Sequence, residues 1–172
     1  MNWVVALESV DERASRSIGG KGTALAFLAR NGFTIPRTLC VTMECYEHFL
    51  MRSGLRERIL LELNRKDFND MRLEELWDAA LRIRNMFLTE PLTEDLHSLL
   101  GEAFTSWCGG EAVAVRSSAA DEDTSRASFA GLHESYLNIQ GVESILEHVK
   151  LVWASLWSDA ALLYRQDIGL DT

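Results

Sequence analysis

The chain has 172 residues, a formal net charge of −9 and a hydrophobic fraction of 47%. A chain of this length and composition can bury a core of its own, so we expect a single domain over residues 1–172. The negative charge argues against a general nucleic-acid-binding surface, and no apolar run approaches the ~20 residues that a membrane-spanning helix needs.

The N-terminus, Met1-Asn2-Trp3, lacks the basic and long apolar regions of a secretory signal. Short apolar runs then predict strands at residues 4–7 and 38–41. Apolar residues at helical spacing predict four helices, over residues 43–52, 55–63, 73–87 and 93–106. Thr42 is the expected N-cap of the first of these, and the polar segment 64–70 is an expected exposed connection. In the third helix the predicted core stripe consists of Leu73, Leu76, Trp77, Ala80, Ile83 and Phe87.

A glycine-rich segment, Ile18-Gly19-Gly20-Lys21-Gly22-Thr23, precedes the helical run at residues 24–30. Backbone N–H groups of such a loop can face an anion, and the helix dipole and the mobile charge of Lys21 favour one. The adjacent glycines do not have the spacing of a Walker A loop. The pattern fits a glycine-rich turn that caps a helix beside a solvated lysine equally well. The sequence alone does not distinguish this capping turn from an anion-binding loop.

A second polar segment spans residues 113–139. A predicted strand at 113–116 ends at Arg116, which leads into Ser117 and Ser118, an acidic group at 121–123 and a loop to Gly131. A second predicted strand follows at 135–139. Arginine and hydroxyl groups can hold phosphate, but the pattern alone favours an ordinary hairpin with a polar loop.

The C-terminal part carries another apolar stripe, for which helical core packing is the expected role. Its members are Ile145, Leu146, Val149, Val152, Trp153, Leu156 and Trp157. The many helical stripes and few strands predict an α+β fold that is helix-rich, with a small, mostly antiparallel sheet. The cysteines are odd in number and lack metal-ligand spacing, which favours reduced thiols in a cytoplasmic protein: Cys40, Cys45 and Cys108.

Together the two polar segments resemble the N-terminal ATP-binding domain of the pyruvate phosphate dikinase and phosphoenolpyruvate synthase family. Rifampicin phosphotransferase carries the same domain. The resemblance rests on a glycine-lysine loop, an Ala-Val-Arg-Ser-Ser-Ala signature and a Trp-Ala-Ser-Leu-Trp motif, which occur in the family's order. The matching segments are residues 19–22, 32–36, 46–49, 114–119, 122–123, 127–131, 135–138, 153–157 and 164–165.

The sequence departs from the family pattern at several positions. Pro36-Arg37-Thr38 stand where the family usually has Pro-Pro-Gly, and Leu132 stands in place of a glutamine. Ser135 replaces a threonine and keeps its hydroxyl. None of these departures removes Lys21 or Arg116, so the expectation of phosphate binding is unaffected. The departures do weaken the assignment of the chain to one particular enzyme of the family.

The resemblance implies that the chain is the first lobe of an ATP-grasp domain, with ATP held against a second lobe that is absent here. The chain is then a piece of a longer enzyme or a shortened gene product. The implied ATP-binding residues are Lys21, Arg116, Gly131, Ser135 and Tyr136. The phosphate-loop candidates are Gly19, Gly20, Gly22, Ser117 and Ser118. The resemblance assigns no catalytic residue and no metal ligand to this chain, because the Mg²⁺ ligands are expected in the second lobe.

The implied function is that of the ATP-binding part of a phosphotransferase that passes phosphate from ATP through a histidine to pyruvate. The alternatives are a rifampicin-phosphotransferase-like enzyme and a non-catalytic module that binds a nucleotide or a partner protein. The expected partners are ATP and the remaining domains of the parent phosphotransferase, or a separate subunit that carries them, without nucleic acid or membrane. We further expect Lys21 and Arg116 to converge, with an acidic residue of 121–123 holding them in the empty state. We expect the loop at residues 119–130 to be mobile without nucleotide.

Overall fold

The computed structural model describes residues 3–10, 17–118 and 134–167, together with the backbone of residues 123–124 and 127–128. The α-helices within these residues are α1 (Gly19–Arg30), α2 (Met43–Arg52), α3 (Leu55–Leu63), α4 (Leu73–Thr89), α5 (Glu94–Cys108), α6 (Val142–Ser155) and α7 (Asp159–Asp167). The strands are β1 (Val4–Ala6), β2 (Leu39–Val41), β3 (Val113–Arg116), β4 (Asp123–Thr124), β5 (Ala127–Ser128) and β6 (Ser135–Ile139).

The strands form three antiparallel pairs, β1 with β2, β3 with β6 and β4 with β5. The predicted helix-rich α+β class is therefore confirmed, and so is the predicted pairing of β3 with β6. The exposed connection at residues 64–70 is also as predicted, with a short 3-10 turn at Phe68–Asp70.

The β3–β6 pair has one face toward the helices and one toward solvent. Val115 pairs with Tyr136 and Val113 pairs with Ile139, and all four side chains are partly buried. These partners lie two residues apart on β3 but three apart on β6, so β6 carries one extra residue. Asn138 absorbs this bulge with a φ of 59°, a left-handed conformation that asparagine tolerates better than most residues. The bulge allows Tyr136 and Ile139 to face the same side.

The main core is aromatic at its centre, where α2, α4 and α6 meet. The rings of Phe49 and Trp153 lie 5.2 Å apart, and Phe87 lies 6.2 Å from both Phe49 and Tyr46. Burial raises the pKa of Tyr46 to about 12, and its hydroxyl accepts a hydrogen bond from the indole N–H of Trp157 at 2.9 Å. The tryptophans of the C-terminal motif therefore pack and support the core, as expected.

Three predicted features are corrected by the structure. The first helix begins at Gly19 rather than at residue 24, because the glycine segment itself forms the first turn. Helix α6 ends at Ser155, so Leu156 and Trp157 lie in a turn and a separate helix, α7, follows. On α4 the residues Leu76, Ala80, Ile83 and Phe87 are buried, whereas Leu73 and Trp77 are 41% and 51% exposed. The buried face of α4 is thus narrower than the spacing of its apolar residues indicated.

Truncating the aromatic core should destabilise the whole domain. We expect Phe87→Ala to lower the free energy of unfolding by about 3–5 kcal/mol, because Phe87 is fully buried and leaves a cavity. The control Leu61→Ala removes a side chain that is 73% exposed, and its effect should stay within about 0.5 kcal/mol. Urea unfolding followed by circular dichroism measures both. Equal effects of the two substitutions would contradict this account of the core.

Candidate functional site

The glycine segment and the serine segment meet at one contact, which we call the α1–β3 junction (Ile18, Gly19, Gly22 and Ser118). The Ser118 hydroxyl donates a hydrogen bond to the carbonyl oxygen of Ile18 at 2.6 Å. The hydroxyl oxygen of Ser118 in turn accepts a hydrogen bond from the backbone N–H of Gly22 at 3.0 Å. Ile18 and Gly22 bound the first turn of α1, so Ser118 ties that turn to the segment that follows β3.

Gly19 permits the close approach of the two segments. Its φ is +73°, and a Cβ atom built on it would lie 1.7 Å from the carbonyl oxygen of Ser118. No side chain fits at that distance, and non-glycine residues also disfavour the left-handed backbone conformation. Position 19 therefore requires glycine for two independent reasons, of which the close contact is particular to this junction.

The junction brings the segments of both predicted phosphate-binding cations together. Lys21 immediately precedes Gly22 on α1, and Arg116 ends β3 two residues before Ser118. Ser135 is the direct cross-strand partner of Arg116, and both are exposed. Direct partners on an antiparallel pair project from the same face. Arg116 and Ser135 therefore lie side by side on the solvent face of the β3–β6 pair, which we call the outer face (Ala114, Arg116, Ser135 and Leu137). The convergence of the charged ends of Lys21 and Arg116 stays a prediction.

Tyr136 lies on the opposite face of β6, toward α6. Its ring packs edge-on against His148, with the ring centroids 4.8 Å apart. Its hydroxyl donates to a carboxylate oxygen of Glu134, whose other oxygen lies 3.2 Å from the guanidinium of Arg84. Tyr136 thus contacts α6 and the start of β6, and the structure does not bring its side chain to the outer face beside Arg116.

The two serines after Arg116 differ in exposure. Ser117 is buried, with 3% of its surface exposed, while Ser118 is half-buried at the junction. Of the predicted ATP-binding residues, Gly131 lies outside the described residues. So do the side chains of the acidic residues 121–123 and nearly all of the loop at 119–130, of which only the β4–β5 backbone pair is described. The predictions made for them stay predictions.

Sequence patterns did not reveal the anchor of the segment that enters α1. The backbone N–H of Met43 donates to the carbonyl oxygen of Ser17 at 2.8 Å, and the Ser17 hydroxyl donates to the Glu44 carboxylate at 2.6 Å. The Ser17 hydroxyl holds the pKa of the Glu44 carboxyl below its usual range, and the carboxylate's own backbone N–H contributes. A glutamate in the first turn of a helix such as α2 is a common sequence signal. Nothing in the sequence, however, indicates that its partner is Ser17, 27 residues earlier.

The donors at this site suit a polyphosphate better than a metal ion. Lys21, Arg116 and the Ser135 hydroxyl offer positive charge and hydrogen-bond donors, whereas Mg²⁺ takes oxygen ligands, among them carboxylates. Within the described ranges, no group of three or more His, Cys, Asp and Glu side chains is arranged to hold a metal ion. Among the helices described, none is both long and apolar enough to cross a membrane.

A model of the family described as pyruvate phosphate dikinase, AMP/ATP-binding domain, matches residues 15–172. The chain is 35% identical over 176 residues to a probable phosphoenolpyruvate synthase of Methanocaldococcus jannaschii, covering 99% of this chain and 15% of that protein. It is 36% identical over 169 residues to a rifampicin phosphotransferase of a Streptomyces species, covering 98% of this chain and 19% of that protein. It is 35% identical over 161 residues to a phosphoenolpyruvate synthase of Escherichia coli, covering 90% of this chain and 20% of that protein. The chain thus spans a quarter or less of the length of these curated relatives.

The close contact at Gly19 gives a direct test of the junction. Gly19→Ala and Gly32→Ala both place alanine at a positive φ, which costs about 1–2 kcal/mol. Gly32 has no other atom within 4 Å of the added Cβ, whereas Gly19 meets the Ser118 carbonyl oxygen. We expect Gly19→Ala to lower the free energy of unfolding by about 1–3 kcal/mol more than Gly32→Ala does. Thermal unfolding measures the difference, and equal losses in the two variants would show that the contact is not as close as described.

Proposed function

Because the chain belongs to the pyruvate phosphate dikinase AMP/ATP-binding domain family, we propose that it supplies the ATP-binding part of a larger phosphotransferase. The observation that carries the proposal is the α1–β3 junction. It joins the helix that bears Lys21 to the strand that bears Arg116, although the two residues are 95 positions apart in the sequence. Ser135 adds a hydroxyl on the outer face beside Arg116.

We propose that the triphosphate of ATP lies over this junction, in contact with Lys21, Arg116 and Ser135. Cations stabilise the charge that builds on phosphate oxygens during phosphoryl transfer. We propose that Gly131, which precedes β6 in the sequence, also contributes to the nucleotide site. Tyr136 supports it from the core side, because its ring packs on α6.

We propose that the chain is the first lobe of an ATP-grasp module and that a second lobe, outside these residues, covers the nucleotide. Mg²⁺ would be held by the triphosphate and by that second lobe. The parent enzyme would pass a phosphoryl group from ATP to a histidine and then to pyruvate. Two relatives are named for phosphoenolpyruvate synthesis and one for rifampicin phosphorylation, so an antibiotic acceptor is the alternative. The cysteines described are free thiols, in keeping with a cytoplasmic enzyme.

The affinity of the chain for the nucleotide should depend on both Lys21 and Arg116. We expect weak binding of Mg·ATP to the 172-residue chain, and Lys21→Ala or Arg116→Ala should each weaken it by about tenfold to a hundredfold. Charge-assisted hydrogen bonds contribute about 1.5–3 kcal/mol each, which sets this range. The control is Arg56→Ala, which removes an equal charge from an exposed position on α3 and should leave the affinity unchanged. Isothermal titration calorimetry measures all four proteins. Equal losses in all three variants would point to a general electrostatic effect and count against the site.

The chain alone should not turn over ATP measurably. Phosphoryl transfer needs an in-line acceptor, a metal ion on the phosphates and exclusion of water, and one lobe contacts the nucleotide from one side only. Release of phosphate from Mg·ATP, followed over hours, should match the rate without protein. Hydrolysis that is lost in Lys21→Ala would contradict the need for a second lobe. Binding of a partner protein without any nucleotide affinity would instead favour the non-catalytic module.

A further inference from the structure

We propose that Ser118 is a positioning residue, which sets Lys21 against Arg116 by holding the start of α1 to the end of β3, and that it does not bind phosphate itself. This inference rests on the proposed function, since it concerns how the two cations of the ATP site are arranged. It assigns to Ser118 a role different from that of the other hydroxyl at the site, Ser135.

The hydrogen bonds of Ser118 determine this assignment. A serine hydroxyl has one proton to donate, and here that proton goes to the carbonyl oxygen of Ile18 at 2.6 Å. The oxygen atom in turn accepts the N–H of Gly22 at 3.0 Å. An ionised phosphate oxygen has no proton to donate, so a hydroxyl group that binds it must be the hydrogen-bond donor. Ser118 therefore cannot donate to phosphate without releasing the carbonyl oxygen of Ile18 at the start of α1.

The surroundings of Ser118 leave little room for such a release. Its backbone carbonyl lies against Gly19 so closely that even a Cβ would not fit, and the neighbouring Ser117 is buried. Ser17, which precedes this turn in the chain, is hydrogen-bonded to Met43 and Glu44 at the start of α2. The start of α1 is thus held between the end of β3 and the start of α2, which fixes it in place before any nucleotide arrives.

Fixing the junction matters because the site needs two positive charges close together. Two like charges on separate elements repel each other, and a flexible junction would let them move apart in the absence of an anion. A rigid junction makes the arrangement part of the fold, so the nucleotide does not bear the cost of assembling it. Lys21 benefits directly, because it is the residue before Gly22 on the same helical turn.

The test compares Ser118→Ala with Ser118→Thr, which keeps a hydroxyl, and with Ser98→Ala as a control on the exposed face of α5. The probes are Mg·ATP binding by calorimetry and amide hydrogen exchange without nucleotide. We expect Ser118→Ala to weaken binding roughly threefold to thirtyfold, as for loss of one or two hydrogen bonds, and Ser118→Thr to restore most of the affinity. Exchange at Gly22 should quicken more than exchange at core amides of α4. Ser98→Ala should change neither.

A double-mutant cycle separates positioning from direct phosphate binding. If Ser118 acts through Lys21, then Lys21→Ala should weaken binding much less in the Ser118→Ala background than in the wild-type chain. Additive losses, with Gly22 exchange unchanged, would show that Ser118 is an independent phosphate ligand and overturn the proposal. A Ser118→Thr chain that binds as poorly as Ser118→Ala would also contradict it.

The two proposals fail in different ways. If the wild-type chain shows no binding of Mg·ATP, the proposed ATP site on this chain is wrong. Amide hydrogen exchange at Gly22 still tests the positioning role of Ser118 in that case, because that measurement needs no nucleotide. Exchange that is as slow in Ser118→Ala as in the wild type would overturn the positioning role. Normal ATP affinity in Ser118→Ala would overturn it while leaving the ATP site intact.

Discussion

The close approach of Gly19 to the Ser118 carbonyl is the constraint on which the site depends. It places the first turn of α1 directly against the chain that leaves β3, and the Ser118 hydroxyl then bonds both Ile18 and Gly22. A side chain at position 19 would push the helix away and separate the two elements. The glycine thus acts through the shape of the backbone, and its effect on the cations is indirect. This is a different use from the flexible, anion-facing loop that glycine-rich sequence usually suggests.

The β3–β6 pair connects this junction to the core. Val113, Val115 and Ile139 pack against the main hydrophobic cluster, while Arg116 and Ser135 face solvent one pleat away. Because side chains alternate along a strand, the position of the buried residues determines which residues can reach a ligand. The bulge at Asn138 preserves this arrangement by keeping both Tyr136 and Ile139 on the inner face. Core packing and site geometry are therefore set by the same register, and a slip of one residue would disturb both.

Much of this fold is predictable from sequence where the signal is local. Helices α2 and α3 and strands β3 and β6 have the predicted bounds, because apolar spacing and turn residues determine them. The start of α1 was missed, since glycine disfavours helix and only a contact 96 residues away explains its first turn. Helix α7 was missed although it carries a local signal: the Ser158 hydroxyl accepts the N–H of Ala161, as an N-cap does. For the candidate site, the resemblance implies Arg116, Ser135 and Tyr136 together, but it does not indicate the opposite orientation of the Tyr136 side chain, which follows from the register.

The net charge of −9 does not argue against an anion site on this chain. Several carboxylates are neutralised locally: the buried Glu62 lies 2.6 Å from Arg82 and 3.2 Å from Arg65, and Glu134 pairs with Arg84. Lys66, with the backbone N–H of Arg72, lowers the pKa of the Glu75 carboxyl to about 2. Potential at a ligand is set by the nearest charges, since those beyond about 10 Å are screened by salt. What matters for the proposed phosphate site is thus the pair of elements that meet at Ser118, each carrying a cation within two residues of the contact.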